Sequence, residues 1–111
     1  MQYLLLIYEN EKRFSKGYPE AELAEYQAFG KQFAVAIKGG NALQPTTSAA
    51  TVRVRDGKVL STDGPFAETK EQLGGYYLVE ANTRDEAVAM AAKIPGARFG
   101  SIEVRPIIKF S

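Results

Sequence analysis

The sequence predicts an α+β domain: a ferredoxin-like, split β-α-β antiparallel sheet carrying one extra hairpin. Two observations predict it. Strand-like and helix-like patterns follow one another as strand, helix, strand, strand, helix, strand, which is two β-α-β units in tandem. Independently, residues 2–8 and 76–81 are apolar on both faces, whereas residues 51–55 and 101–107 are apolar on one. The two-sided pair belongs in the middle of the sheet and the one-sided pair at its edges.

Each element has its own signal. Residues 2–8 are too short for a stable helix and are followed by the polar run Glu9-Asn10-Glu11-Lys12-Arg13. As a strand they point Tyr3, Leu5 and Ile7 one way and Leu4, Leu6 and Tyr8 the other. Residues 9–18 read as a polar loop. Pro19, followed by Glu20 and Glu22, opens a helix. Leu23, Tyr26, Phe29, Phe33 and Ile37 recur at spacings of three and four, so the helix is predicted to run to Gly39-Gly40. Residues 51–55 alternate as a one-sided strand, Asp56-Gly57 suits a two-residue turn with positive φ, and residues 58–62 return. Asp63-Gly64-Pro65-Phe66 breaks the ladder, with Phe66 expected to anchor in the core. One or two helical turns are expected over 67–73, ended by Gly74-Gly75. After the strand at 76–81, Thr83-Arg84-Asp85-Glu86 fits a capping box. The helix it opens carries Ala87, Val88, Ala91 and Ile94 on one flank and stops at Pro95-Gly96. Residues 101–107 close the sheet, and Pro106, lacking a donor, belongs at an edge.

Composition narrows the function. The 111 residues, 45% hydrophobic and 24% charged, describe one globular domain over 1–111. Fourteen basic against thirteen acidic residues leave a net charge of +1, which gives no electrostatic footprint for nucleic acid. With no cysteine and no histidine there is no thiolate chemistry, no serine triad of the usual kind and no imidazole ligand. No apolar run approaches the roughly 20 residues of a membrane span. No secretory signal is visible either, so no membrane association and a cytoplasmic location are expected. The Gly-Gly pairs complete no nucleotide-binding pattern, and no cofactor is expected. Two helices cover only one face of a four-stranded sheet. The apolar face left over predicts a twofold homodimer, the alternative being that residues 41–73 fold back over their own sheet.

The segments Val52-Arg53-Val54-Arg55-Asp56-Gly57-Lys58, Thr62-Asp63-Gly64-Pro65-Phe66-Ala67-Glu68-Thr69-Lys70-Glu71 and Leu73-Gly74-Gly75-Tyr76-Tyr77 closely resemble the DGPF branch of the YCII-related family. The resemblance covers nearly the whole chain and includes Tyr3 to Tyr8 and Gly100 to Pro106. It implies a dimeric α+β barrel with a cleft between sheet and partner. It also implies bacterial relatives encoded beside extracytoplasmic-function sigma factors, hence a possible sigma-factor association. The histidine–aspartate pair of the wider family has no counterpart in a chain without histidine.

Candidate site residues follow from that cleft. Asp63 is the candidate catalytic carboxylate, with the competing role of an Asx cap accepting from the Phe66 amide. Glu68, Lys70 and Glu71 could orient a polar ligand or simply face water. Glu68 and Glu71, three apart and without histidine, make too weak a ligand set, so no metal is expected. Arg53, Arg55 and Lys58 could hold an anion, although an outer edge-strand face explains them better. Lys12, Arg13 and Lys16 read mainly as a solvated loop. Among the tyrosines, Tyr3 and Tyr76 join Asp63, Glu68, Lys70 and Glu71 as the candidate ligand-binding set, with Tyr8 and Tyr77 in interface or core. The expected function is small-ligand binding by a homodimer. The alternatives are a cofactor-independent enzyme using Asp63 or a tyrosine for proton transfer, and an interaction module serving a sigma-factor regulator.

Overall fold

Alternation along the first strand sets the architecture. In β1 (Gln2–Glu9) of the computed structural model, which describes residues 1–110, Tyr3, Leu5 and Ile7 are buried while Leu4, Leu6 and Tyr8 are half-exposed. There follow α1 (Glu20–Gln32), β2 (Ile37–Ala42), β3 (Ala50–Arg55), β4 (Lys58–Asp63), β5 (Gln72–Glu80), α2 (Arg84–Ala91) and β6 (Ser101–Pro106). Short 3-10 turns occupy Glu11–Phe14, Thr46–Ser48 and Pro95–Arg98. The main sheet is antiparallel in the order β2-β5-β1-β6, with the two-sided strands in the middle and Pro106 at an edge as predicted. Both helices lie on one face. Tyr3, Leu5, Ile7 and Val79 from the sheet pack there with Phe29 of α1 and with Ala87, Met90, Ala91 and Ile94 in and after α2. The Thr83 cap forms, with Glu86 N–H donating to Thr83 Oγ1 at 3.1 Å, while the Glu86 carboxylate reaches back one residue beyond the cap, Oε2 accepting from Asn82 N–H at 3.2 Å. No helix among the described residues is long and apolar enough to cross a membrane.

The structure corrects several elements. Helix α1 stops at Gln32, well before Gly39-Gly40, and the Ala36 and Ile37 amides turn the chain by donating to Phe33 O. Ile37 then pairs with Val79. Gly40 lies in the edge strand opposite Tyr77, where a Cβ would come within 2.6 Å of Tyr76 O and 2.9 Å of Tyr77 Cδ1. This glycine marks a close backbone approach and not a helix stop.

The edge strand beside β5 is therefore β2, and residues 51–55 do not join the main sheet. They pair only with β4, as a hairpin arm whose turn has φ of 51° at Asp56 and 75° at Gly57. The helical turns expected over 67–73 do not form. Gln72 and Leu73 instead pair with Glu9 and Tyr8, so Gly74-Gly75 lie inside β5. Phe66 is 79% exposed and anchors no core, and Val88 faces outward where Met90 packs inward.

The molecule is a slab of 46 × 45 × 19 Å, one sheet thick plus one helical layer. Its Cα radius of gyration is 15.9 Å, against about 13 Å for a compact chain of this length.

Candidate functional site

Two places in this fold gather chemistry. The first is the sheet face without helices. Register puts Leu4 opposite Leu78, Leu6 opposite Tyr76 and Tyr8 opposite Leu73, a contiguous block of six large side chains. All six are only half-buried. The rim is polar. On β2, Asn41 Nδ2 donates to Tyr76 Oη at 3.0 Å. On β6, Glu103 pairs with Arg105, and Ser101 Oγ donates to Glu71 Oε1 at 2.9 Å.

Of the six candidate residues, the structure brings Tyr76 and Glu71 to this face. Asp63, Glu68 and Lys70 lie exposed at the end of β4 and on the return from the arm. The expected Asx bond from the Phe66 amide to Asp63 is absent among the described residues. The turn is held instead by Gly64 N–H to Ala49 O at 2.6 Å and Thr51 Oγ1 to Gly64 O at 2.9 Å. Tyr3 is separated from the other five: it is 2% exposed, on the opposite, helix-covered face.

The second place was not singled out from the sequence. Arg13, read there as part of a solvated loop, donates Nη1 to Glu9 Oε2 at 2.6 Å and Nη2 to Glu22 Oε1 at 3.2 Å. The two glutamate side chains are 6% and 5% exposed, and that of Arg13 is 26% exposed. The guanidinium also stacks 3.8 Å from the centroid of the Phe99 ring. Glu9 is tightly enclosed, since a Cβ on Gly96 would overlap its Oε1 and sit 2.9 Å from Tyr26 Oη. Burial pushes the Glu9 carboxyl above its ordinary value, with Glu22 and Glu71 adding to the rise and Arg13 opposing it. Burial, then the Glu9 charge, pushes the Tyr26 hydroxyl up as well. A signal for this cluster did exist. Glu9 continues the inward parity of Tyr3, Leu5 and Ile7, and Glu22 shares the 22, 26, 29, 33 stripe of α1 with Tyr26, Phe29 and Phe33. A carboxylate paired on one oxygen and enclosed beside a phenol on the other can hold or release a proton.

Fold and site together define a ferredoxin-like α+β protein with one sheet face uncovered and a carboxylate–arginine cluster at one end of the covered face. The chain belongs to the YCII-related family, whose domain it matches over residues 1–111. It is 40% identical over 114 residues to an uncharacterised protein of Rhizobium meliloti, an alignment covering 96% of this chain and 92% of that one. Among solved structures it is similar to the 5-chloro-2-hydroxyhydroquinone dehydrochlorinase TftG of Burkholderia phenoliruptrix, in complex with 2,5-dihydroxybenzoquinone. That likeness has a TM-score of 0.59 at 15% identity, over 97% of this chain and 94% of the other, and concerns the fold.

Proposed function

We propose that this protein is a homodimer that binds a small molecule in a cleft between its open sheet face and a second copy. The observation that carries this reading is the half-buried block of Leu4, Leu6, Tyr8, Leu73, Tyr76 and Leu78 on a face with no helix over it. Surface area supports it. The chain exposes 8056 Å2, whereas a compact monomer of its mass exposes about 6,100 Å2. The surplus of about 2,000 Å2 is more than twice the area each partner contributes to an interface of standard size. A self-complementary face of this kind closes by twofold symmetry. Within it, the Tyr8 and Tyr76 hydroxyls and the Glu71 carboxylate supply a few polar groups in an apolar wall, the usual composition of a small-molecule site.

The ligand of the dehydrochlorinase, 2,5-dihydroxybenzoquinone, serves as the probe. At fixed protein concentration it raises the melting temperature of the wild type in a dose-dependent way, and less so for Tyr76→Phe. An equal rise in a monomeric Leu6→Asp variant contradicts a cleft that needs two copies.

A second reading, a cofactor-independent enzyme, is favoured by the enclosed Glu9 carboxylate beside Tyr26. In that reading the proton is handled by Glu9 and Tyr26 and not by the exposed Asp63. Turnover of a chlorinated hydroxyhydroquinone that is lost in Glu9→Gln and kept in Asp63→Asn supports it. The reverse pattern returns the role to Asp63.

A further inference from the structure

We propose that the hairpin arm, residues 50–63, is a clasp that lies on a second copy of this chain. The inference rests on the dimer reading above and adds a separate contact surface to it. The arm is an amphipathic ribbon. Val52, Val54 and Val59 share one face, with Val54 directly opposite Val59, and are 61%, 57% and 71% exposed. The other face carries Arg53, Arg55 and Lys58, with Leu60 opposite Arg53 the one large apolar side chain among them. Two strands alone are at best marginally stable in water, and a valine face with nothing on it removes the contacts that would hold them. Nothing among the described residues of the arm's own chain supplies that cover, although an uncovered sheet face stands in the same molecule.

The arm is nevertheless firmly rooted. Glu11 accepts from Thr46 N–H at 2.7 Å and from Thr46 Oγ1 at 2.9 Å, while its own amide donates to Gln72 Oε1 at 2.9 Å. Gly64 N–H closes the base on Ala49 O. A ribbon fixed at its root and projecting with one apolar face is built to meet a surface outside its own protomer.

Area selects a second copy as that surface. A sheet-to-sheet contact of standard size uses about 800 Å2 per partner and leaves more than half of the roughly 2,000 Å2 surplus unaccounted for. The exposed valines of the arm, with Phe66 just beyond it, are apolar surface that contributes to this remainder. In a twofold pair each copy gives an arm and receives one, so both surpluses are consumed and the assembly closes. The three cations then face outward, where they deter further strand pairing.

The dimer dissociation constant, read by sedimentation, tests this. Val54→Glu is expected to weaken the dimer about tenfold or more, while Arg53→Glu on the opposite face changes it less than about twofold. If Val54→Glu leaves the constant unchanged while Leu6→Asp yields monomers, the clasp is overturned and the sheet-face dimer stands. If the wild type is monomeric at tens of micromolar, both fall. Hydrogen exchange covers the case in which Val54→Glu does not fold. Arm amides that are protected in the wild-type dimer and fast in the Leu6→Asp monomer support the clasp, and equal protection in both overturns it.

Discussion

Replacing Arg13 with leucine removes the cation that pairs with two nearly sequestered carboxylates and, among the described residues, leaves neither with an ion-pair partner. Breaking a buried ion pair from one side costs about 3–5 kcal/mol. Because the Arg13 side chain retains 26% of its exposure, the lower end applies. A loss of about 3 kcal/mol corresponds to a fall in melting temperature of roughly 12 °C or more for a domain of this size. The pH dependence carries more information than the magnitude. Glu9 in the folded protein sits above its ordinary value of 4.5. The folded state therefore holds that proton more tightly than the unfolded state does. Its contribution to stability is complete below the ordinary value and is lost as pH rises through the raised one. Removing Arg13 takes away the charge that opposes the rise, so the Arg13→Leu penalty must be larger at pH 7.5 than at pH 5. Urea unfolding of both proteins at the two pH values, at one fixed protein concentration, measures this. A penalty below about 0.5 kcal/mol at pH 7.5 is what an ordinary surface substitution gives and would refute the buried-triad account. A penalty that grows on acidification would refute the charge argument.

Two further substitutions test how the sheet and α2 are held. Gly40→Ala drives a methyl group against Tyr76 O and the Tyr77 ring and should cost about 1–3 kcal/mol in thermal unfolding. Gly39→Ala, with nothing within 4 Å of the added carbon, should cost less. Thr83→Ala deletes the acceptor for the Glu86 amide at the start of α2 and should lower stability by about 1 kcal/mol, with Thr83→Ser retaining most of it.

Much of the fold was legible because burial follows parity. The two-sided patterns of residues 2–8 and 76–81 place these strands in the middle of the sheet, and Pro106 marks an edge. What failed were local signals that tertiary contacts overrode. Gly39-Gly40 looks like a helix stop from sequence, yet Gly40 is required by the approach of one backbone to the Tyr77 ring, which no local pattern records. Residues 51–55 alternate as well as any edge strand, but alternation does not say which strand a segment will pair with. Gln72 and Leu73 carry no local strand signal because their partners, Glu9 and Tyr8, lie more than sixty residues away. The site was less legible than the fold. Asp63 drew attention through its motif but lies exposed, while Glu9 and Glu22 escaped it because a glutamate is by default a surface residue.

One sheet face of this protein either stands in water or is covered by a second copy. Sedimentation equilibrium of the wild type at micromolar concentration decides it. The uncovered block and the surplus area predict a single species of twice 12.2 kDa. A species of 12.2 kDa that persists as the concentration is raised would contradict it.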